Sequence, residues 1–294
     1  MNLPRVGILG MGDMGAALAK SLSGHGVTVL TTLEGRSAAS CDRAKSSGVT
    51  LQARLADVVQ TCDVFLSVVP PSKADILAEA VASHIARDRT GGPLLFVDCN
   101  AVTPDHACRL ARMIEAAGGS FVDGSIIGPP PGVGTPRLYV CGNRAAELLA
   151  FDGMGLIVRD LRAPVGRASA LKLLFSGLNK GFNALSATMV IAAERLDMGE
   201  ALQAEIETMV PALSKRMTAQ IPYLPVNAAR WVPEMHEIAE LLSEVGLSPG
   251  FHKGAAETFG LIANEFGNGE TRETFDRSRT VRDLARACAA RLHR

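Results

Sequence analysis

The stretch Val6-Gly7-Ile8-Leu9-Gly10-Met11-Gly12-Asp13-Met14-Gly15 decides the fold of this chain. Its first four residues are too uniformly apolar for a strand with one wet face. They run straight into a GxGxxG pattern, and helical spacing of alanine and leucine starts at Ala16. In a chain with 29 glycines among 294 residues, three glycines at fixed spacing mean little alone. Their place between a buried strand and a helix start gives them meaning. Glycine there permits a tight turn and close backbone approach to a pyrophosphate, and the helix start offers N–H groups with partial positive charge. A glycine cluster serving only the turn is the competing reading. Gly10, Met11, Gly12, Asp13, Met14 and Gly15 are the first candidate cofactor contacts.

The alternation continues outward from this point. Short apolar runs at 27–31, 64–68, 94–97 and 120–122 predict strands, separated by helical patterns at 16–22, 38–46, 73–84 and 105–117. Strands apolar on both faces and alternating with helices imply a parallel sheet covered on each side. Runs at 138–141 and 156–158 close that sheet. Beyond Arg162-Ala163-Pro164-Val165-Gly166 the pattern turns helical, over 168–195, 199–220, 233–245, 252–265 and 278–291. The predicted architecture is an α/β Rossmann domain over 1–164 followed by an all-α domain over 165–294.

Composition removes several function classes. Thirty basic residues balance 30 acidic ones, so there is no large positive field for nucleic acid or an anionic membrane. At 4% aromatics the chain lacks a base-stacking platform, and at 47% hydrophobic residues it can bury a large core. The six cysteines, Cys41, Cys62, Cys99, Cys108, Cys141 and Cys288, form no metal-binding spacing and read as reduced thiols of a cytoplasmic protein. Met1-Asn2-Leu3-Pro4-Arg5 runs directly into Val6 and is read as carrying no secretory leader. The apolar segment 168–193 contains Lys172 and Lys180 and is expected as a buried helix, not a membrane span. No metal is expected.

The ends of the later strands supply the remaining candidates, because ligands of such sheets bind beyond the carboxyl ends of the strands. Thr31-Thr32-Leu33-Glu34-Gly35-Arg36-Ser37 follows the second strand. Glu34 suits the ribose hydroxyls of NAD. Arg36 and Ser37, opening a helix, suit the 2′-phosphate of NADP, and with Thr32 they place NADP ahead of NAD. Val69 and Pro70 end the run at 64–68, and Asn100 follows the run at 94–97. Asn100 is assigned to the nicotinamide side or the substrate; a turn with a helix cap explains both stretches equally well. Asp123-Gly124-Ser125-Ile126-Ile127-Gly128-Pro129 reads as a small-residue loop. Its backbone amides, around Ser125, Ile127 and Gly128, are candidates to hold a substrate carboxylate. Lys172 lies in an apolar helical stretch, with Ser176 and Asn179 on its face. Burial penalises an ammonium charge, which suits a lysine to exchanging a proton near neutrality; a lysine snorkelling at a helix edge is the alternative.

These motifs resemble those of the β-hydroxyacid dehydrogenase superfamily over nearly the whole chain. Gly10–Gly15 matches its GxGxMG signature, 123–129 resembles its DAPVSGG substrate loop, and 166–172 resembles its GxGxxxK segment. The resemblance implies that Lys172 is the general acid/base. It also places the second half in a branch whose C-terminal domain has no assigned function. Three groups depart from the superfamily pattern: Ile127 stands for a serine, Ser176 for an asparagine, and Pro233-Glu234 for a lysine–aspartate pair. Asn179, Arg230, Trp231 and His252 are the groups to consider as replacements.

The resulting expectation is an NADP-preferring oxidoreductase that interconverts a small hydroxy acid, or related alcohol, and its carbonyl compound. In it Lys172 exchanges the proton, and Asn100, Ser125, Ile127, Gly128, Ser176 and Asn179 surround the substrate. An imine reductase-like enzyme and a non-catalytic cofactor-binding sensor are the alternatives. The long apolar helix after Gly166 implies a homodimer.

Overall fold

The computed structural model describes residues 3–35, 37–267, 270–271 and 274–292. The chain divides into two compact units, Met1–Leu173 and Leu174–Arg294. The first unit is built on an eight-stranded sheet: β1 (Val6–Leu9), β2 (Val29–Thr32), β3 (Thr50–Gln52), β4 (Val64–Ser67), β5 (Leu95–Asp98), β6 (Ser120–Ile127), β7 (Arg137–Cys141) and β8 (Ile157–Asp160). Spatial order is β3-β2-β1-β4-β5-β6-β7-β8, with every pair from β3 to β6 parallel. Between the strands run α1 (Asp13–Gly24), α2 (Ala38–Lys45), α3 (Leu55–Thr61), α4 (Ala74–Asp88) and α5 (Pro104–Ala116).

Residues of β1, β2, β4 and β5 are buried throughout because the sheet is covered on both faces. Alternate residues enter separate cores. Ile8 packs with Leu18, Leu22 and Val97, whereas Leu9 packs with Phe65, Phe96 and Leu110. On that second face Phe65, Phe96 and Phe121 stack across three neighbouring strands at 5.5 and 5.9 Å between ring centres. Strand order reverses at β1, between β2 and β4, so a crevice opens at the carboxyl end of β1, where the glycine turn lies.

Several features of this unit go beyond what the sequence suggests. The three-residue, largely exposed β3 and the seven-residue α3 had too little periodicity to predict. Strand β6 runs to Ile127, so most of the expected substrate loop is strand. Strand β7 is antiparallel to β6, because the proline-rich connection 128–136 is too short for a helical crossover. The composition change at 164 follows the last strand, but the first two turns of α6 (Arg167–Arg195) pack with the first unit.

The second unit holds the remainder of α6, then α7 (Gly199–Met209), α8 (Pro211–Gln220), α9 (Ala228–Glu244), α10 (Gly250–Phe266) and α11 (Val281–Arg291). The helix expected over 199–220 breaks at Val210 (φ −139°, ψ 64°), since Pro211 lacks an N–H and excludes helical geometry from the residue before it. Helix α9 starts at Ala228, ahead of the expected 233, and carries Pro233 inside it. The buried face Trp231, Met235, Ile238 and Ala239 outweighs that proline, with the Trp231 ring meeting Phe259 of α10 edge-on at 5.3 Å. Among the described residues no strand follows Asp160, and no helix is long and apolar enough to cross a membrane.

Candidate active site

The glycine turn joins β1 to α1, and its three glycines are required for different reasons. Gly10 has φ +106°, and a Cβ there would overlap the carbonyl of Val68; a Cβ on Gly15 would overlap the carbonyl of Gly10. Chain packing explains both. Gly12 is different: it is the N-cap of α1, makes no side-chain cap hydrogen bond, and a Cβ there would meet nothing within 4 Å. Open space in front of an uncapped helix start is the cradle that a pyrophosphate fills. Met11 itself is buried in the core, Met14 packs against that core, and Asp13 is exposed in the first turn of α1.

Arg43 of α2 was not anticipated. Its Nε donates to the Met11 carbonyl at 3.0 Å, and its Nη1 lies 3.8 Å from the Asp13 carboxylate, placing a cation beside the turn. Thirty-two residues separate Arg43 from Met11, so only folding brings them together. Next to the turn, Leu9, Thr32, Glu34, Leu55, Val69, Lys73, Ile76, Leu77 and Ala80 line a cleft of about 310 Å³. Its walls are apolar, with one acid and one base at the rim. The exposed Ile76 offers an apolar face to an adenine-sized ring. Lys73 was also missed, hidden in what reads as an ordinary helix start.

The structure places the other cofactor candidates less freely. The Thr32 hydroxyl donates to the Ala53 carbonyl (3.3 Å) and accepts from the Glu34 amide (3.3 Å), so it shapes the strand end. Ser37 is exposed and caps α2, accepting from the Ser40 amide at 3.3 Å. Arg36 lies outside the described residues. Pro70 is exposed and its carbonyl accepts from the Lys73 amide at 2.8 Å.

Asn100 is buried and committed to protein partners. Its Oδ1 accepts from the Val69 amide at 2.7 Å, and its Nδ2 donates to Ser67 Oγ at 2.8 Å and to the Asp98 carboxylate. Both amide hydrogens are used, so it ties the ends of β4 and β5 together and has no N–H left for a ligand. Asp98 is fully buried; burial, then repulsion from Asp123, pushes its carboxyl up to about 7.

Lys172, in the second turn of α6, is partly buried, and its Nζ donates to the Cys99 carbonyl at 3.4 Å. Its charge is felt by Asp98 and Cys99, where it opposes the upward push of burial. The amine therefore stands beyond the end of β5, beside the Asp98–Asn100 clamp. Full burial of this stretch was expected, but Leu174 is 53% exposed.

In β6, Asp123, Gly124 and Ser125 are buried. A Cβ on Gly124 would press on the Asp98 carbonyl at 3.0 Å and Cys99 Sγ at 3.2 Å, so glycine suits the close strand packing here. The Ser125 hydroxyl is buried with no hydrogen-bond partner, an arrangement that calls for an explanation. Ile127 is partly buried, and Gly128, at φ +118°, begins the true loop. Backbone from Asp123 to Ile127 is strand paired with β7 and not loop.

Ser176 and Asn179 are in the second unit. Ser176 Oγ donates to Glu234 at 3.5 Å, and Glu234 also pairs with Lys180. The carbonyl and side-chain oxygens of Asn179 both accept from Arg216, at 3.1 and 2.6 Å. Lys180 and Arg230 stand over the Trp231 ring at 5.3 and 5.8 Å, and His252 packs at Gly177 with its Nε2 3.3 Å from the Gly177 carbonyl.

Comparison with known proteins matches this arrangement to a described family. Residues 5–147 match the NAD binding domain of 6-phosphogluconate dehydrogenase, and residues 193–262 match a domain of unknown function, DUF1932. A conserved protein of unknown function, whose solved structure is similar to 3-hydroxyacid dehydrogenases, is 30% identical; the match covers 88% of this chain and 97% of that one, with a TM-score of 0.71. An uncharacterised 28.5 kDa protein of Methanothermus fervidus is 25% identical over 251 residues, 83% of this chain and 93% of that protein. The mitochondrial 3-hydroxyisobutyrate dehydrogenase of Rattus norvegicus is 30% identical over 204 residues, 66% of this chain but only 56% of its own length. With an NAD(P)-binding Rossmann domain joined to a helical C-terminal domain, this chain belongs to the β-hydroxyacid dehydrogenase superfamily.

Proposed function

We propose that the protein is an NADP-preferring oxidoreductase that interconverts a small hydroxy acid and its carbonyl compound, with Lys172 as the proton-transfer group. The observation that carries this reading is the seat of Lys172. A flexible amine is held on the Cys99 carbonyl, one residue from the buried Asp98 carboxyl and beyond the strand ends where such sheets bind ligands.

The residues fit a dinucleotide. Gly12 and the start of α1 would hold its pyrophosphate, with Arg43 adding charge, and the cleft between Glu34, Ile76 and Lys73 would take its adenosine half. Preference for the 2′-phosphate is assigned to Ser37, to Arg36 as its neighbour in sequence, and to Lys73 of the cleft. When bound, the dinucleotide supplies hydride exchange. The chain's own residues supply the rest. Lys172 Nζ takes the hydroxyl proton during oxidation and returns it to the carbonyl oxygen during reduction. The unpartnered Ser125 hydroxyl is assigned to a polar group of the substrate, which answers its lack of a partner. Named relatives that act on 3-hydroxyisobutyrate support the hydroxy-acid class.

A homodimer is part of this proposal. Leu174, Leu178, Leu185 and Met189 recur at helical spacing along α6 and are 53, 76, 44 and 48% exposed, an apolar stripe suited to a second copy.

The test is fluorescence titration with NADPH and NADH, followed by turnover with a panel of small 3-hydroxy acids. Tighter binding of NADPH and oxidation of at least one acid are expected. Equal or tighter NADH binding removes the NADP assignment. No turnover with any acid removes the activity.

A further inference from the structure

Helix α6 begins after a residue with no side chain to cap it. Gly166, at φ +98°, precedes its first residue Arg167, and a Cβ there would lie 3.2 Å from Pro104 Cβ. The helix start is held instead by a carboxylate from a strand some forty residues earlier. Asp123 Oδ2 accepts the amides of Gly166 (2.9 Å), Ala168 (3.1 Å) and Ser169 (3.1 Å), and Oδ1 accepts the Ser169 hydroxyl at 2.7 Å. The Cys141 thiol donates to the same carboxylate at 3.3 Å; burial pushes that thiol up to about 12, so it keeps its proton. Asp123 and Ser169 are buried to within 1% of full burial, so water does not compete for these bonds.

This geometry fixes more than the end of a helix. Backbone N–H groups on one oxygen and a side-chain hydroxyl on the other set both the axial position and the rotation of the first turn. Lys172 follows Ser169 by three residues, about 4.5 Å along the axis and on a neighbouring face. Rotation of the first turn therefore swings the Lys172 side chain toward or away from the Cys99 carbonyl. That carbonyl is held independently, by the Asn100 clamp on Asp98, Ser67 and Val69. Two anchors, one on each side of the hydrogen bond from Lys172 to the Cys99 carbonyl, position the amine.

We infer that Asp123 and Ser169 are positioning residues for the Lys172 amine, acting through the start of α6 and not by touching a ligand. Their bearing on the reaction rests on the reading of Lys172 given above; their effect on the amine does not.

The experiment is reductive methylation of the whole protein with carbon-13 formaldehyde and carbon NMR across pH, the Lys172 signal being assigned by its loss in Lys172→Arg. Ser169→Ala deletes one hydroxyl from a helix that favours alanine and is expected to fold. It should move the Lys172 signal and shift its titration midpoint by about half a pH unit or more, because the amine changes its distance from Asp98, Asp123 and the Cys99 carbonyl. Ser169→Thr keeps the hydroxyl and should restore both. Ser186→Ala removes another buried serine of α6, bonded only within its own helix to the Phe182 carbonyl, and should change neither. An unmoved Lys172 signal in Ser169→Ala, or an equal shift in Ser186→Ala, overturns the inference. If Lys172→Ala keeps its turnover while Ser169→Ala still moves the signal, the positioning stands and only the catalytic reading of Lys172 falls.

Discussion

Asp98, the last residue of β5, is paired with Asp123 in the middle of the adjacent parallel strand β6, and neither has any exposed surface. Their proximity has a measurable consequence for stability. Burial first, then Asp123, raises Asp98 to about 7, above the ordinary carboxylate value of 3.8. The folded state therefore holds a proton that the unfolded state releases between about pH 4 and 7. Stability falls as pH rises through that window and does not change further from this group above it. Asp98→Asn keeps the shape without the charge. Its melting temperature should gain on the wild type by about 3 °C or more between pH 5 and pH 8. A constant difference across that range excludes the effect.

The glycine turn gives a sharper contrast. Gly12→Ala adds a methyl group into open space, so its melting temperature should stay within about 3 °C of wild type while NADPH binding weakens roughly tenfold or more. Gly15→Ala forces a methyl group onto the Gly10 carbonyl and should lower the melting temperature outright. Comparable stability loss in both variants would mean that Gly12, too, serves only the turn.

Lys172→Ala should reduce turnover about a hundredfold or more, the usual contribution of a positioned acid/base group, while the NADPH dissociation constant stays within about twofold. Retained turnover removes Lys172 from the chemistry.

At the adenosine cleft, Lys73→Ala should weaken NADPH by about tenfold and NADH by much less, since only NADPH carries the extra phosphate. Glu34→Gln should act the other way, harming NADH more. Parallel losses for both dinucleotides place Lys73 outside the phosphate's reach.

Leu178 is the most exposed member of the α6 stripe. Leu178→Asp should convert a micromolar dimer to monomer in sedimentation, with the melting temperature of the monomeric unit little changed. A wild type that sediments only as monomer ends that proposal.

The order of legibility follows the physics. Strands buried on both faces announce themselves by continuous apolar runs, so β1, β4 and β5 were readable within a residue or two, while the helix following the glycine turn starts three residues earlier than its spacing suggests. Short or exposed elements carry no such pattern, which hid β3 and α3. Small residues misled in the other direction. Asp123-Gly124-Ser125 looks like a loop because it lacks bulk, yet Gly124 is small so that two strands can close on each other.

Sequence alone determined the alternating α/β half, the helical second half, the glycine turn and the candidacy of Lys172, because periodicity and motif spacing are local properties of the chain. Only tertiary structure decided what each polar group is for. Asn100 clamps the ends of two strands, Asp123 caps a helix begun some forty residues later, and Arg43 reaches the glycine turn from the next helix. A hydrogen bond is made by whichever partner folding brings within about 3 Å, and no count of intervening residues contains that distance.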